Sequence, residues 1–156
     1  MNFQYHFDIQ LQTRQNLLNL VNTHSTEEMN LIPDGFNNNL VWNLGHVIVT
    51  QQLLIYQMAG LQVHVSQDLI NQFMKGSKPE KAYEKNEIEA LKKLLVDLID
   101  QTKSDFKKGQ FRAYKPYTTS YGMTLSSAEE AIAFNNVHES MHLGVMMQLS
   151  RLVSSN

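Results

Sequence analysis

The sequence predicts an all-α protein, a four-helix bundle, on three observations. Apolar residues recur at three- and four-residue spacing along four long stretches. Gly and Pro are sparse, at seven and three in 156 residues, and mostly fall between those stretches. Four helices of about 20 residues, each with a single apolar stripe, bury those stripes most simply against one another.

The first helix runs from about Phe3 to His24, on Phe3, Phe7, Leu11, Leu18 and Val21, widened by Leu17 and Leu20. Ser25-Thr26-Glu27-Glu28 has the form of a capping box, but Pro33-Asp34-Gly35 soon ends what it starts, giving a short helical turn and a loop. Asn37-Asn38-Asn39 supplies caps for a second helix from about Leu40 to Met58, closed by Gly60. Its face Trp42, His46, Val49, Leu53 sets one histidine among core-type residues. Ser66 to Met74 predicts a short helix ended by Lys75-Gly76.

The third helix starts near Asn86, where Glu89 completes an Asx capping box, and carries Ile88, Leu91, Leu95, Leu98 and Thr102 to about Lys108. An aromatic loop from Phe111 to Gly122 follows, with Pro116 and Gly122 too close together for a helix. The fourth helix, capped by Thr124 or Ser126 with Glu129 and Glu130 in its first turn, extends to about Val153. The connection between helices two and three is long enough to cross the bundle, so those two are expected to lie parallel. A pocket is expected under that crossover, lined by Tyr114, Tyr117 and Tyr121, unless these tyrosines cover the end of the core.

Length and a 42% hydrophobic content point to one domain over residues 1–156. The N-terminus has no basic stretch followed by an apolar run, and no segment approaches the roughly 18 apolar residues of a membrane span. With no cysteine, disulfides and thiolate ligands are excluded, and thiol chemistry would need an exogenous thiol. The expected setting is cytoplasmic, with no membrane partner. A net charge of −2 argues against nucleic acid. Residues 75–115 nevertheless hold eleven of the thirteen Lys and Arg against seven of the fifteen acids, a surplus of four positive charges. This is either a solvated face or a positive rim for a small carboxylate-bearing ligand.

The chemistry lies in the histidines. His138-Glu139-Ser140-Met141-His142 stacks two imidazoles at i, i+4 on one helix face, roughly 6 Å apart at about 1.5 Å per residue. The fourteen residues that follow contain no Asp, Glu or His, so a third ligand must come from upstream. His6, His24 and His64 read as surface histidines. His46, His138 and His142 would be inward-facing on two helices, each costing about 1–3 kcal/mol if left without a partner, and one shared cation removes that cost. Three neutral imidazoles leave positions open on the ion, a catalytic type of site, and zinc and nickel both suit it. Glu139 is either a general base beside the ion, an acceptor orienting an imidazole, or a residue turned to the bundle seam. Asn135 and Asn43 are candidates to support the ligands. A di-iron reading fails for want of a second Glu-x-x-His.

Pro33-Asp34-Gly35-Phe36-Asn37-Asn38-Asn39 leading into Trp42-Asn43-Leu44-Gly45-His46, together with His138-Glu139-Ser140-Met141-His142-Leu143-Gly144, resembles the DinB-like (YfiT-like) four-helix-bundle superfamily of metal-dependent enzymes. The resemblance implies an up-down-down-up bundle, often a homodimer, with nickel or zinc on the positions matching His46, His138 and His142. Relatives include S-transferases that use bacillithiol, mycothiol or glutathione, and a maleylpyruvate isomerase. The leading expectation is a transferase that activates a low-molecular-weight thiol toward a small-molecule substrate. The alternatives are a hydrolase using metal-bound hydroxide with Glu139 as base, and a noncatalytic dimeric stress-response protein stabilised by metal.

Overall fold

The apolar stripes become four long helices in a computed structural model that describes residues 3–154. They are α1 (Phe3–Val21), α3 (Leu40–Gln51), α5 (Lys85–Lys107) and α6 (Ala128–Val153); α2 (Thr26–Asn30) and α4 (Gln67–Phe73) are short. A two-residue hairpin, β1 (Tyr117–Thr118) paired antiparallel with β2 (Thr124–Leu125), lies in the aromatic loop.

Hydrogen bonds across the helix seams fix the directions. Along α1 and α6, Asn136 donates to the His6 carbonyl at 3.0 Å, Gln10 to Glu139 at 2.9 Å, and His24 meets Ser150 at 2.7 Å, so the two run parallel. Gln51 to Thr102 and Tyr56 to Asp105 align α3 and its extension with α5. Arg14 reaches the Leu95 carbonyl while Phe3 meets Phe106, which makes α1 and α5 antiparallel. The order is up-down-down-up, with α1 and α3 each seated against both α5 and α6. Leu17, Leu44, Val47, Leu95 and Leu149 are fully buried between them. Among the described residues, no helix is long and apolar enough to cross a membrane.

Local chemistry explains where the ends differ from expectation. Ser25 and Glu28 do form a capping box, which starts α2. Helix α5 begins one residue before Asn86, because Glu84 and Glu87 make a reciprocal box of their own. Helix α6 is capped by Ser127 rather than Thr124 or Ser126: its hydroxyl accepts from the Glu130 amide, while Thr124 is drawn into the hairpin. The second long helix does reach Met58, but its last part, Gln52–Gln57, is a π-helix, a widened turn that apolar periodicity does not signal. His24 is no surface residue: its side chain is 2% exposed.

The bundle centre is polar. Glu139 and Arg14 are fully buried, with Arg14 Nη2 2.7 Å and Nε 3.0 Å from the carboxylate. Gln10 and Asn135 donate to the same carboxylate, and Arg14 Nη1 donates to the Leu95 carbonyl. One charge pair therefore joins α1, α5 and α6. Removing a single partner of a buried pair strands the other charge. Arg14→Leu should lower stability in urea unfolding by about 3–5 kcal/mol, whereas Lys93→Ala, at an exposed 4.0 Å pair with Asp97, should be close to neutral.

Candidate metal centre

The middle of α3 and the middle of α6 cross antiparallel and bring three imidazoles together. Ring centroids of His46 and His138 are 5.2 Å apart, those of His46 and His142 4.7 Å, and those of His138 and His142 4.6 Å. One nitrogen from each can be chosen so that all lie within 4.8 Å of one another, a grouping that could hold a metal ion.

The surroundings decide which nitrogens are free. His46 Nδ1 lies 2.7 Å from the Phe73 carbonyl, which can only accept, so Nδ1 carries the proton and Nε2 the lone pair. Asn43 donates through its amide nitrogen to Asn38 and to the Asn39 carbonyl. Its oxygen therefore accepts from His142 Nδ1 at 2.8 Å, again leaving Nε2 with the lone pair. His138 Nδ1 is buried with no hydrogen-bond partner among the described residues. Such an orphaned atom costs about 1–3 kcal/mol, a cost that coordination through that nitrogen would remove. This donor set fits a divalent ion.

Burial keeps the rings neutral. It pushes His138 down to about 3, with repulsion from His142 and His46 adding to the effect. It pushes His142 down to about 4, with His46 contributing. His46 is also lowered by burial, partly offset by its bond to the Phe73 carbonyl. Neutral imidazole is the form that ligates.

Local sequence sets the geometry. Asn39 caps α3 by accepting from the Trp42 amide, which fixes the start of the helix one turn before the ligand-bearing turn. Trp42 then stacks on His46 at 4.5 Å and 11°. Gly45 is needed for close approach: a Cβ there would lie 2.3 Å from the Phe73 ring, the residue whose carbonyl holds His46.

A cavity of about 430 Å³ opens beside the three rings. Leu53, Leu54 and Met58 line it from the π-helical end of α3, Phe134 and Met141 from α6, and Lys75 from the crossover. Tyr117, Thr119, Ser120 and Tyr121 of the hairpin also line it. Two of the three expected tyrosines therefore reach the cavity. Tyr114 does not; it covers the core and donates to the Leu54 carbonyl at 2.8 Å. The crossover contributes less of the lining than expected, because the hairpin does much of the covering.

Glu139 sits at the bundle seam, the third of the positions weighed for it. Position i+1 carries its carboxylate about 100° around the helix from His138, into the bonds of Arg14, Gln10 and Asn135. It does not line the cavity, whereas a general base would have to face the ion. Asn43 supports His142, while Asn135 serves Glu139 instead. Thr50 places its hydroxyl 3.3 Å from His46 Nε2, a contact whose one sequence signal is its position one turn after His46. Of the hairpin's share of the lining, Tyr117 and Tyr121 were legible as pocket candidates, whereas Thr119 and Ser120 had no sequence signal.

Two outcomes follow from this geometry. Gly45→Ala should displace Phe73 and loosen His46, lowering the thermal midpoint and weakening divalent-metal affinity together, as read by melting curves and metal titration. In the unfolded chain each histidine takes up a proton near pH 6.5, but in the fold His142 and His138 wait until about 4 and about 3. Stability of the metal-free protein should therefore be full above pH 6.5 and decline from there toward about pH 3, and a His138→Asn/His142→Asn variant should show a shallower decline in midpoint with pH.

Comparison with known proteins agrees with this architecture. A sequence profile described as the DinB superfamily matches residues 11–146. Among solved structures, a conserved protein from Enterococcus faecalis superposes with a TM-score of 0.69 at 14% identity, covering 100% of this chain and 99% of that one, a likeness of fold. No curated protein matches the sequence. With the profile spanning most of the chain and the bundle in place, the chain belongs to the DinB superfamily.

Proposed function

We propose that the protein is a metal-dependent transferase that activates a low-molecular-weight thiol. The observation that carries this reading is the composition of the cavity: three neutral imidazoles on one side and, among the described residues, no Asp or Glu in its lining. A divalent ion held by His46, His138 and His142, nickel or zinc, would supply Lewis-acid charge that lowers the pKa of a sulfur donor entering the cavity.

The chain's residues account for the rest. Asn43 and the Phe73 carbonyl hold two imidazoles in the ligating tautomer, and Trp42 braces the ring of His46. Leu53, Leu54, Met58 and Phe134 give the cavity apolar walls that exclude water from an electrophile. The sequence has no cysteine, so the sulfur nucleophile arrives with a co-substrate. Hydrolysis is the weaker reading, since it needs a base beside the attacking water and Glu139 is bound to Arg14 instead.

Elemental analysis of the purified protein should find about one divalent ion per chain, lost in His46→Ala and in His138→Ala/His142→Ala. Adding a small thiol to the nickel-loaded or cobalt-loaded protein should produce sulfur-to-metal charge-transfer absorption. Metal retained after all three histidines are replaced, or a loaded protein whose spectrum is indifferent to thiols, would overturn the reading.

A further inference from the structure

Among the described residues, the cavity lining has one cationic side chain and no anionic one. The cation is Lys75, and among the described residues it takes part in no salt bridge. Its backbone is tied to the same scaffold that holds His46. Lys75 follows Met74, the C-cap of α4, and two residues before it the Phe73 carbonyl accepts from His46 Nδ1. The turn closes through the Ser77 amide on the Met74 carbonyl at 3.1 Å, with Gly76 taking φ +91°. The Ser77 hydroxyl lies 2.8 Å from both the Gln72 and the Met74 carbonyls, which share its one proton, and accepts from Trp42 Nε1 at 3.0 Å. The same indole stacks on His46. The lysine stem is thus anchored within two peptide units of a ligand-orienting contact, at the edge of a cavity whose other walls are mostly apolar.

We infer that the cavity takes a carboxylate-bearing thiol, with sulfur toward the three-histidine centre, a short apolar body along Leu53 and Met58, and the carboxylate paired with Lys75. This rests on the proposed metal-dependent thiol chemistry of the same site. Charge supports it: neutral imidazoles do not cancel the charge of a divalent ion, no acid in the lining competes for the lysine, and walls of low polarity strengthen attraction relative to open water. A neutral thiol would leave Lys75 as a solvated surface lysine. A carboxylate gives it a partner and fixes the orientation of the bound molecule.

The test uses the full-length protein loaded with cobalt. Mercaptopropionate and mercaptohexanoate are titrated against mercaptopropanol and mercaptohexanol, followed by charge-transfer absorption. At least one acid should bind about fivefold more tightly than its matching alcohol, the scale of a partly exposed ion pair. That preference should vanish in Lys75→Ala, persist in Lys75→Arg and shrink with added salt, while cobalt affinity and the melting temperature stay as in the parent protein. Equal affinity for acid and alcohol, or a preference that survives Lys75→Ala, overturns the inference and leaves the thiol reading standing. Cobalt bound by the three histidines with no response to any of the four thiols removes the thiol reading and this inference with it.

Discussion

The Arg14–Glu139 pair is the constraint on which the rest of the molecule turns. A carboxylate with zero exposure must be met by charge and hydrogen bonds from every side, and Arg14, Gln10 and Asn135 meet it. Because Arg14 also donates to the α5 backbone, the pair sets the rotation of α6 about its own axis relative to two neighbours at once. An apolar seam would tolerate slippage in that rotation; a bidentate charge pair does not. With Glu139 turned to α1, His138, one residue before it, and His142, three residues after it, share the adjacent face of the helix and are turned to α3. The position of the imidazoles is therefore a consequence of where a neighbouring side chain has been buried.

Much of this was legible in the chain. The four stripes gave four long helices because burying an apolar face is the dominant local demand, and the i, i+4 histidines faced one way because helical periodicity leaves no other choice. Trp42 and His46 lay on one face for the same reason. Helix starts were harder to place. Asn86, Thr124 and Ser126 all have the side chain of a cap, but the capping bonds are made by Glu84, in its reciprocal box with Glu87, and by Ser127, which accepts from the Glu130 amide. Glu139 was ambiguous because its partner Arg14 lies 125 residues away and no local rule links them. The hairpin of two-residue strands is shorter than any alternating pattern can announce.

The polar groups around the imidazoles orient a donor set that could hold a cation without bringing negative charge of their own. Backbone and amide oxygens, the Phe73 carbonyl and Asn43, do the orienting that carboxylates perform in many metal sites. Such dipoles select a tautomer yet neutralise nothing. The field inside the cavity is left to be balanced by whatever enters it.

The π-helical segment Gln52–Gln57 has a structural corollary. The chain from Lys115 onward is hung from its end: the Leu54 carbonyl takes the Tyr114 hydroxyl at 2.8 Å, and the Met58 carbonyl takes the Lys115 amide at 2.7 Å. A regular α-helix would direct the first of those oxygens back into its own ladder. The irregularity and the roof that hangs from it are thus a linked inheritance: a relative that regularised this rod by losing one residue would have to moor its lid elsewhere or leave the chamber open to water.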